Sequence, residues 1–390
     1  MSREPVYLDG FATNPLAPEA HQAMMDALMR PSNAASPHRD GARAATAVAL
    51  ARREVADLIG AAPSEIVFTS GATEANNLAI LGVARRAIAN GDPRRRLAVS
   101  AVEHKSVLEP ALALSEFGFS VDIMPVDRRG VVDLTKAASL ISPDTLLVSL
   151  MAANNETGVI QPVAEMSALA HSRGSLFHCD AAQAAGKIPV DVLEWDVDYL
   201  SLSAHKLYGP MGVGALFVAA TAVPPQPILL GGGQQKGIRS GTEPTPLLAG
   251  FGAAARVAAE RGEADTKHGR TLATRLLSIL EARQTRFTLT TADAPVLPGS
   301  ISLSLEGAVG DDIVDRIADR VSISTGSACT SGQVLPSHVL SAMNMSPDAI
   351  ASVIRIYCGR YTTEIDIDLA ATSISDMVAR ARLATGEVRQ

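Results

Sequence analysis

The stretch EIVFTSGATEANNLAILGVARRAI (65–88) joins a short apolar run to a longer segment with helical spacing. The run EIVFTS (65–70) is typical of a buried strand, and EANNLAILGVARRAI (74–88) of a helix. This alternation continues to about residue 220, and it predicts an α/β fold with a mostly parallel sheet. The other predicted strands are RLAVSA (96–101), SVDIMPV (120–126), TLLVSLM (145–151), SLFHCD (175–180), DYLSLS (198–203) and VGALFVA (213–219). The other predicted helices are SVLEPALALSEF (106–117) and VAEMSALAHSR (163–173).

The second half of the chain has a different pattern. A Pro- and Gly-rich excursion (222–237) precedes a helical run (245–264) that we interpret as a connector. Beyond it, SISLSLEG, RVSISTGSA and SVIRIYCG predict strands of a smaller α+β domain, and residues 367–384 predict an amphipathic C-terminal helix. We therefore expect a large domain over 15–258, and a small domain formed by 1–14 together with 259–390.

Composition excludes several classes of protein. The 390 residues are 47% hydrophobic and 19% charged, which is enough for a sizeable core and argues against disorder. A net charge of -7 and an aromatic content of only 4% argue against a dedicated nucleic-acid binder. No apolar run approaches the length of a membrane span, and the start MSREPVYLDG has no targeting character. We therefore expect a cytoplasmic protein with no membrane partner.

Polar residues follow the ends of the predicted strands, where open α/β sheets bind their ligands. The first strand runs into SGATEANN (70–77), whose free N–H groups at a helix start form an anion site, typically for phosphate. An ordinary N-cap by Thr73 is the simpler alternative. The other polar strand ends are Glu103 and His104, then Asn154, Asn155 and Glu156, then His178, Asp180 and Gln183, and finally Ser203, His205 and Lys206.

A lysine, an acid and a phosphate loop form one constellation at these strand ends. Pyridoxal 5'-phosphate needs a lysine for its Schiff base, a carboxylate at its ring nitrogen and N–H groups at its phosphate. Lys206, Asp180 and the 70–77 junction supply these groups, with Ser203 and His205 as further phosphate donors and His104 against the ring. The alternatives are a solvated Lys206 with Asp180 as a helix cap, or a metal site on His178 and Asp180, for which no third ligand is clear.

The three cysteines lie in different contexts, and no CxxC pair is present. Cys179 alternates with polar neighbours in an apolar strand, and Cys358 lies at a strand end, so we expect both to be packing residues. Cys329 lies in STGSACTSGQ, a polar loop sequence that suits an exposed, mobile nucleophile.

The motifs together resemble the cysteine desulfurases, a branch of the class V aminotransferases, over nearly the whole chain. These motifs are YLDGFATNPLAP (7–18), NAASPHRDG (33–41), SGATEANN (70–77), DAAQAAGK (180–187), SAHKLYGPMGVG (203–214), GGGQQKGIRSGTE (231–243), STGSACTSG (324–332) and IRIYCGRYTTEIDID (354–368). The resemblance implies the pyridoxal-phosphate transferase fold of type I. The Cys329 segment is similar to that of the group with the longer cysteine loop.

The resemblance also implies a role for each matching residue. Lys206 would carry the cofactor and act as the base at the substrate Cα, His104 would stack on the ring and shuttle protons, and Cys329 would attack the substrate sulfur. Cofactor-binding positions would be Ala72, Thr73, His104, Asn155, Asp180, Gln183, Ser203, His205, Lys206 and, from the partner subunit of a homodimer, Thr242. Asn155 and Arg355 would bind the substrate, with the Arg355 guanidinium clamping its carboxylate.

The implied reaction converts L-cysteine to L-alanine and holds the sulfur as a persulfide on Cys329 for transfer to an acceptor protein. The acceptor stays open between iron–sulfur cluster assembly, thiolation of nucleic acid and a biosynthetic pathway. A selenocysteine lyase or another class V lyase or aminotransferase is the alternative within the class. A sulfur-relay or scaffold protein without catalysis is the alternative outside it, and the retained Lys206 and Asp180 argue against that.

The chain departs from the family pattern at a few positions. Tyr357 stands where a small Ser is common, Gly10 and Phe11 replace small residues before Ala12, and Asn14 replaces a Thr. Asn344 stands where a Gly is common. Tyr357 lies two residues after Arg355, so it either alters the fit of the substrate or points away.

Overall fold

The computed structural model describes residues 4–31, 33–326 and 336–385. The helices of the described part are α1 (Pro18–Leu28), α2 (Arg39–Leu58), α3 (Ala72–Ala89), α4 (Lys105–Ala113), α5 (Leu134–Leu140), α6 (Val163–Ser172), α7 (Thr245–Ala282), α8 (Gly310–Ile317), α9 (His338–Ala342), α10 (Pro347–Ala351) and α11 (Glu364–Thr385). The strands are β1 (Val6–Tyr7), β2 (Ile66–Thr69), β3 (Arg96–Ser100), β4 (Ser120–Met124), β5 (Thr145–Ser149), β6 (Leu176–Asp180), β7 (Tyr199–Ser203), β8 (Gly214–Val218), β9 (Phe287–Leu289), β10 (Ser300–Leu305), β11 (Val321–Ser322), β12 (Ser324–Thr325) and β13 (Val353–Tyr357).

The predicted α/β layer is a seven-stranded sheet in the order β2-β8-β7-β6-β5-β3-β4. The five strands from β7 to β4 run parallel, and β8 pairs antiparallel with both β7 and β2. Strands β5, β7 and β8 are buried at every residue, because helices cover both faces of the sheet. The prediction of a mostly parallel sheet is confirmed.

A second, antiparallel sheet has the order β12-β13-β10-β9. Its core is aliphatic, with Leu303, Ile354 and Ile356 packed against α7 and α11. The N-terminal strand β1 pairs with β11, so the first residues of the described chain lie beside this C-terminal region. The small α+β region is thus present, and the boundaries 15–258, 1–14 and 259–390 remain a prediction.

Helix α7 is longer than the sequence pattern predicted. It continues past residue 264 to Ala282, because Leu272, Leu276 and Leu280 repeat every four residues and bury that face in the second core. Gly269 lets the helix pass close to the backbone, since a Cβ there would lie 3.2 Å from the carbonyl oxygen of Cys358. The helix therefore connects the two sheets without a break at residue 258.

None of the helices in the described ranges combines the length and apolar character that crossing a bilayer requires.

Candidate active site

A cavity of about 450 Å³ opens at the carboxyl ends of the parallel strands. Nine of the predicted site residues line it, and they come from five separate segments of the chain. They are Ala72, Thr73, His104, Asn155, Asp180, Gln183, Ser203, His205 and Lys206. The parallel topology explains this convergence, because it brings the ends of distant strands to one edge.

The N-terminus of α3 forms one wall of the cavity. The helix begins at Ala72 after Gly71, and no side chain caps its first N–H groups. Thr73 is therefore within the first turn and is not the N-cap, so the simpler interpretation of that residue is wrong. Gly71 has a φ of 155°, which L side chains rarely adopt, and a Cβ on Gly214 would lie 2.7 Å from the Gly71 Cα. Two glycines thus shape a cradle of open N–H groups.

Ser203 and His205 lie across from this helix start on the segment that also carries Lys206. Burial, followed by the nearby charge of Lys206, lowers the pKa of His205 to about 4. The imidazole is therefore neutral at pH 7, and its Nδ1 lies 3.1 Å from the hydroxyl of Thr13. Ser203 adds a hydroxyl group to the same wall of the cavity.

Asp180 ends β6 and is almost fully buried at the cavity edge. Its Oδ2 accepts a hydrogen bond from Asn76 Nδ2 at 2.7 Å, and its Oδ1 accepts from the Ala182 N–H at 2.9 Å. These two hydrogen bonds fix the orientation of the carboxylate at the cavity edge. The buried Glu103 nearby has its pKa raised well above the usual range by burial and by the Asp180 charge, which favours its neutral form.

A hydrogen-bond chain fixes His104 relative to Asp180. Asn76 Nδ2 also donates to Ser106 Oγ at 2.8 Å, and Ser106 Oγ lies 2.7 Å from His104 Nδ1. The backbone N–H of Ser106 donates to the same His104 nitrogen at 3.1 Å, so the neutral ring carries its proton on Nε2. Burial lowers the pKa of His104, which favours that neutral form.

Lys206 reaches the cavity from the opposite side. Its Nζ donates to the backbone carbonyl oxygens of Phe11 and, at 2.7 Å, of Ala12. Burial and then the charge of Arg355 lower the pKa of Lys206 to about 8. A substantial fraction of this amine is therefore unprotonated and nucleophilic near neutral pH.

Arg355 and Asn155 lie together, but only Asn155 lines the cavity. The Arg355 guanidinium donates from one NH₂ group to the Asn155 carbonyl oxygen at 2.9 Å and from the other to Asp9 Oδ1 at 3.0 Å. Its Nε is buried and has no hydrogen-bond partner among the residues that the structure describes. The substrate-binding role of Arg355 stays a prediction.

The remaining predicted site residues are Thr242 and Cys329. Thr242 is exposed and absent from the cavity wall, and its predicted role belongs to a partner subunit. Cys329 lies outside the described residues. The other two cysteines are buried, as expected of packing residues, and both thiols are free.

The metal hypothesis finds no further ligand. Both ring nitrogens of His178 face hydroxyl groups, with Nδ1 2.9 Å from Ser149 Oγ and Nε2 3.0 Å from Ser201 Oγ. Across residues 4–31, 33–326 and 336–385, no cluster of three or more His, Cys, Asp or Glu side chains is placed to hold a metal ion.

The donor set fits pyridoxal 5'-phosphate. The open α3 N-terminus and the Ser203 hydroxyl suit a phosphate, the buried carboxyl group of Asp180 suits a pyridinium nitrogen, and Lys206 with its lowered pKa suits a Schiff base. Because Gly71 has no side chain, a phosphate can approach the backbone closely at that position. Sequence reasoning predicted these residues, but it missed Asn76 and Ser106, whose only sequence signal was their place in or beside quoted motifs.

Comparison with known proteins identifies the class. Residues 6–369 match the family described as Aminotransferase class-V, and the chain belongs to that family, whose members use pyridoxal 5'-phosphate. A similar curated relative is the cysteine desulfurase IscS of Rickettsia akari, 41% identical over 97% of this chain and 92% of its own.

Solved structures agree with this assignment. A protein described as NifS-like is 35% identical and superposes with a TM-score of 0.89 over 96% of this chain and all of its own. SspA, solved in complex with cysteine, is 34% identical with a TM-score of 0.78, over 92% of this chain and 99% of its own. The expected type I fold is confirmed by these neighbours.

Proposed function

We propose that this protein is a pyridoxal-phosphate-dependent cysteine desulfurase, which converts L-cysteine to L-alanine and holds the released sulfur on Cys329. One observation carries the proposal. Lys206, Asp180 and the open N-terminus of α3 face a single cavity in a chain whose relatives are cysteine desulfurases. The cysteine-bound SspA structure adds support for the same substrate.

Different residues would hold different groups of the cofactor. Ala72 and Thr73 offer N–H groups to the phosphate, and Ser203 and His205 flank it from the other wall. Asp180, whose carboxylate is held by hydrogen bonds from Asn76 and Ala182, would pair with the pyridine nitrogen. When bound, the cofactor supplies an electron sink for charge that develops at the substrate Cα.

Lys206 and His104 carry out the proton transfers of the reaction. Lys206 would hold the cofactor, and its amine would accept the Cα proton of the substrate, which its lowered pKa permits. His104 lies across the cavity with its proton on Nε2. That N–H is positioned by Ser106 and serves the proton transfers of the reaction. Asn155 and Arg355 orient the substrate, with Arg355 as the clamp for its carboxylate.

The sulfur step balances without an added oxidant. The Cys329 thiolate attacks the substrate Sγ, so an S–S bond forms while the Cβ–Sγ bond breaks. The electron pair of the broken bond stays with the carbon skeleton, which gains a proton at Cβ, regains the proton at Cα and leaves as alanine. The enzyme retains a Cys329 persulfide, and an acceptor thiol then removes its outer sulfur.

The protein's partners are part of the same proposal. We place it in a homodimer, in which the exposed Thr242 reaches the partner's phosphate site, and in the cytoplasm, where a free working thiol persists. The two described cysteines are unpaired, which fits a reducing compartment. The acceptor protein serves a sulfur-using pathway such as iron–sulfur cluster assembly.

The test supplies L-cysteine to the purified holoenzyme and measures alanine and sulfide in the presence of a thiol reductant. We expect equimolar alanine and sulfide from the wild type, and loss of both in Cys329→Ala. The variant Cys358→Ala changes a buried thiol and is the matched control, which should keep its activity. Full sulfide release by Cys329→Ala, or pyruvate in place of alanine, would refute the proposal.

A further inference from the structure

A buried lysine, Lys187, lies behind the cavity and takes no part in the roles described above. Only 5% of its surface is exposed, and its Nζ donates to Gln183 Oε1 at 2.7 Å. Two aromatic rings face the same nitrogen, with the ring centre of Tyr357 at 4.7 Å and that of Phe11 at 5.5 Å. A lysine amine is rarely buried without a specific task, because its desolvation is costly.

The contact with Lys187 decides which way the Gln183 amide points. An amide offers an acceptor oxygen on one side and a donor nitrogen on the other. Lys187 Nζ donates a hydrogen bond to the amide oxygen Oε1, and Gln183 Nε2 donates to the Phe11 carbonyl oxygen at 2.9 Å. Both contacts favour the same orientation, which leaves the second N–H of Nε2 for the cavity that Gln183 lines.

The Phe11 carbonyl oxygen joins this arrangement to Lys206. It accepts hydrogen bonds from both Gln183 Nε2 and Lys206 Nζ. The Phe11 ring packs on Tyr357 with a centroid distance of 5.3 Å and a tilt of 60°. A Cβ on Gly10 would lie 3.1 Å from Tyr357 Cε1, so glycine at that position makes room for the ring pair.

Several departures from the family pattern thus belong to one cluster. Tyr357 is buried and does not line the cavity, so it points away from the substrate. Asn14 Nδ2 donates to the Lys206 backbone carbonyl at 2.7 Å, next to the same loop. Phe11 and Tyr357 thus contact Lys187, while Phe11 and Asn14 contact Lys206.

We propose that Lys187 is a positioning residue for the cofactor site. Through Gln183 Oε1 it fixes the amide with Nε2 toward the cavity. With the Phe11–Tyr357 ring pair it holds the Phe11 carbonyl that contacts Lys206. This inference rests on the proposed function, because Gln183 and Lys206 act on pyridoxal 5'-phosphate there.

The test is a double-mutant cycle on cofactor affinity, measured by titrating apoenzyme with pyridoxal 5'-phosphate. We expect Lys187→Met to weaken binding about tenfold in the wild-type background, of the order of one lost buried hydrogen bond. In a Gln183→Ala background the same change should weaken binding less than about twofold, because Lys187 acts through Gln183. Equal losses in both backgrounds, or no loss in either, would overturn the inference.

Two further variants complete the design. Lys187→Gln keeps an N–H donor on a shorter side chain, and its affinity should fall between those of the wild type and Lys187→Met. An affinity as weak as that of Lys187→Met would contradict a donor role. Tyr357→Phe keeps the ring and should bind the cofactor like the wild type, whereas a loss as large as that of Lys187→Met would count against the ring contact.

The outcomes separate this inference from the proposed function. A wild-type apoenzyme that does not bind pyridoxal 5'-phosphate refutes the proposed function. Binding without coupling between Lys187 and Gln183 refutes only this inference. Thermal unfolding of each apoenzyme checks the fold. If Lys187→Met does not fold, Lys187→Gln takes its place in the cycle, with a coupling of about threefold or more expected and none contradicting the inference.

Discussion

The two sheets use similar apolar strands but differ in what their ends carry. The parallel strands β3, β5, β6 and β7 all point their carboxyl ends to one edge, and the cavity lies there. In the antiparallel sheet, adjacent strands end at opposite edges, so polar strand ends do not converge. The parallel sheet thus brings the reactive side chains together at one edge, and the antiparallel sheet mainly provides a hydrophobic core.

Replacement of Lys206 tests this difference between the two sheets most strongly. Lys206→Ala should lower desulfuration by about 10³-fold or more and abolish the visible absorption of the bound cofactor, because the attachment point and base are lost together. Alanine formation and the absorption spectrum measure this. The exposed Lys236→Ala is the matched control and should change neither. Activity of Lys206→Ala within tenfold of the wild type would contradict the assignment.

Replacement of a core leucine in the antiparallel sheet should instead lower stability and leave cofactor binding unchanged. Leu303 is fully buried between β9 and β13, so Leu303→Ala should lower the free energy of unfolding by about 2–5 kcal/mol. Denaturant unfolding measures the loss, and the exposed Leu193→Ala is the control. Cofactor affinity of the folded fraction should stay at the wild-type value. A stable variant with lost cofactor binding would break the comparison.

The pH dependence of Lys206 in the apoenzyme gives a smaller, directional test. The pKa of Lys206 is lowered to about 8, so the reactive neutral amine appears as pH rises through that value, well below an ordinary lysine. Covalent capture of an aldehyde by Lys206, followed by reduction and peptide mapping, should show a midpoint near pH 8. Arg355→Met removes a neighbouring positive charge and should raise the midpoint. A midpoint near 10 in the wild type, or a fall in Arg355→Met, would contradict the account.

The smallest expected effect is at His171, at the other end of the parallel strands. Burial acts to lower the pKa of His171, but the hydrogen bonds and charges of Asp198 and Asp196 outweigh it, and the pKa is raised. The stabilisation is therefore full below the unfolded pKa of about 6.5 and disappears as pH rises through the folded pKa.

Comparison of His171→Ala with the wild type at two pH values measures this stabilisation. The variant should lose about 0.5–1 kcal/mol of unfolding free energy at pH 5.5 and less at pH 9, because the pair is only partly buried. Denaturant unfolding at both values decides the sign. A larger loss at pH 9 would contradict the assignment.

The sequence was sufficient to predict the parallel layer and most of the cavity. Strand ends such as Asp180 and Ser203 follow continuous apolar runs, and the topology that brings them together is implied by the strand–helix alternation. The extension of α7 to Ala282 was missed, because two glycines and several charges obscure its leucine spacing.

Contacts between distant backbone groups could not be predicted. The carbonyls of Phe11 and Ala12 that receive Lys206 Nζ belong to a loop without secondary structure, and main-chain atoms leave no residue-type signal. The contact of Lys187 with Gln183 joins residues four apart in a motif, but its burial depends on Tyr357, far along the chain. Such tertiary burial is set by packing, which local patterns do not encode.

Mass spectrometry of the protein after a single turnover tests the central claim most directly. Holoenzyme is mixed with one equivalent of L-cysteine in the absence of reductant, and the peptides of all three cysteines are analysed. The account predicts one added sulfur atom on Cys329 and none on the buried Cys179 and Cys358. Alanine formed without a persulfide on Cys329, or a persulfide on either buried thiol in its place, would contradict it.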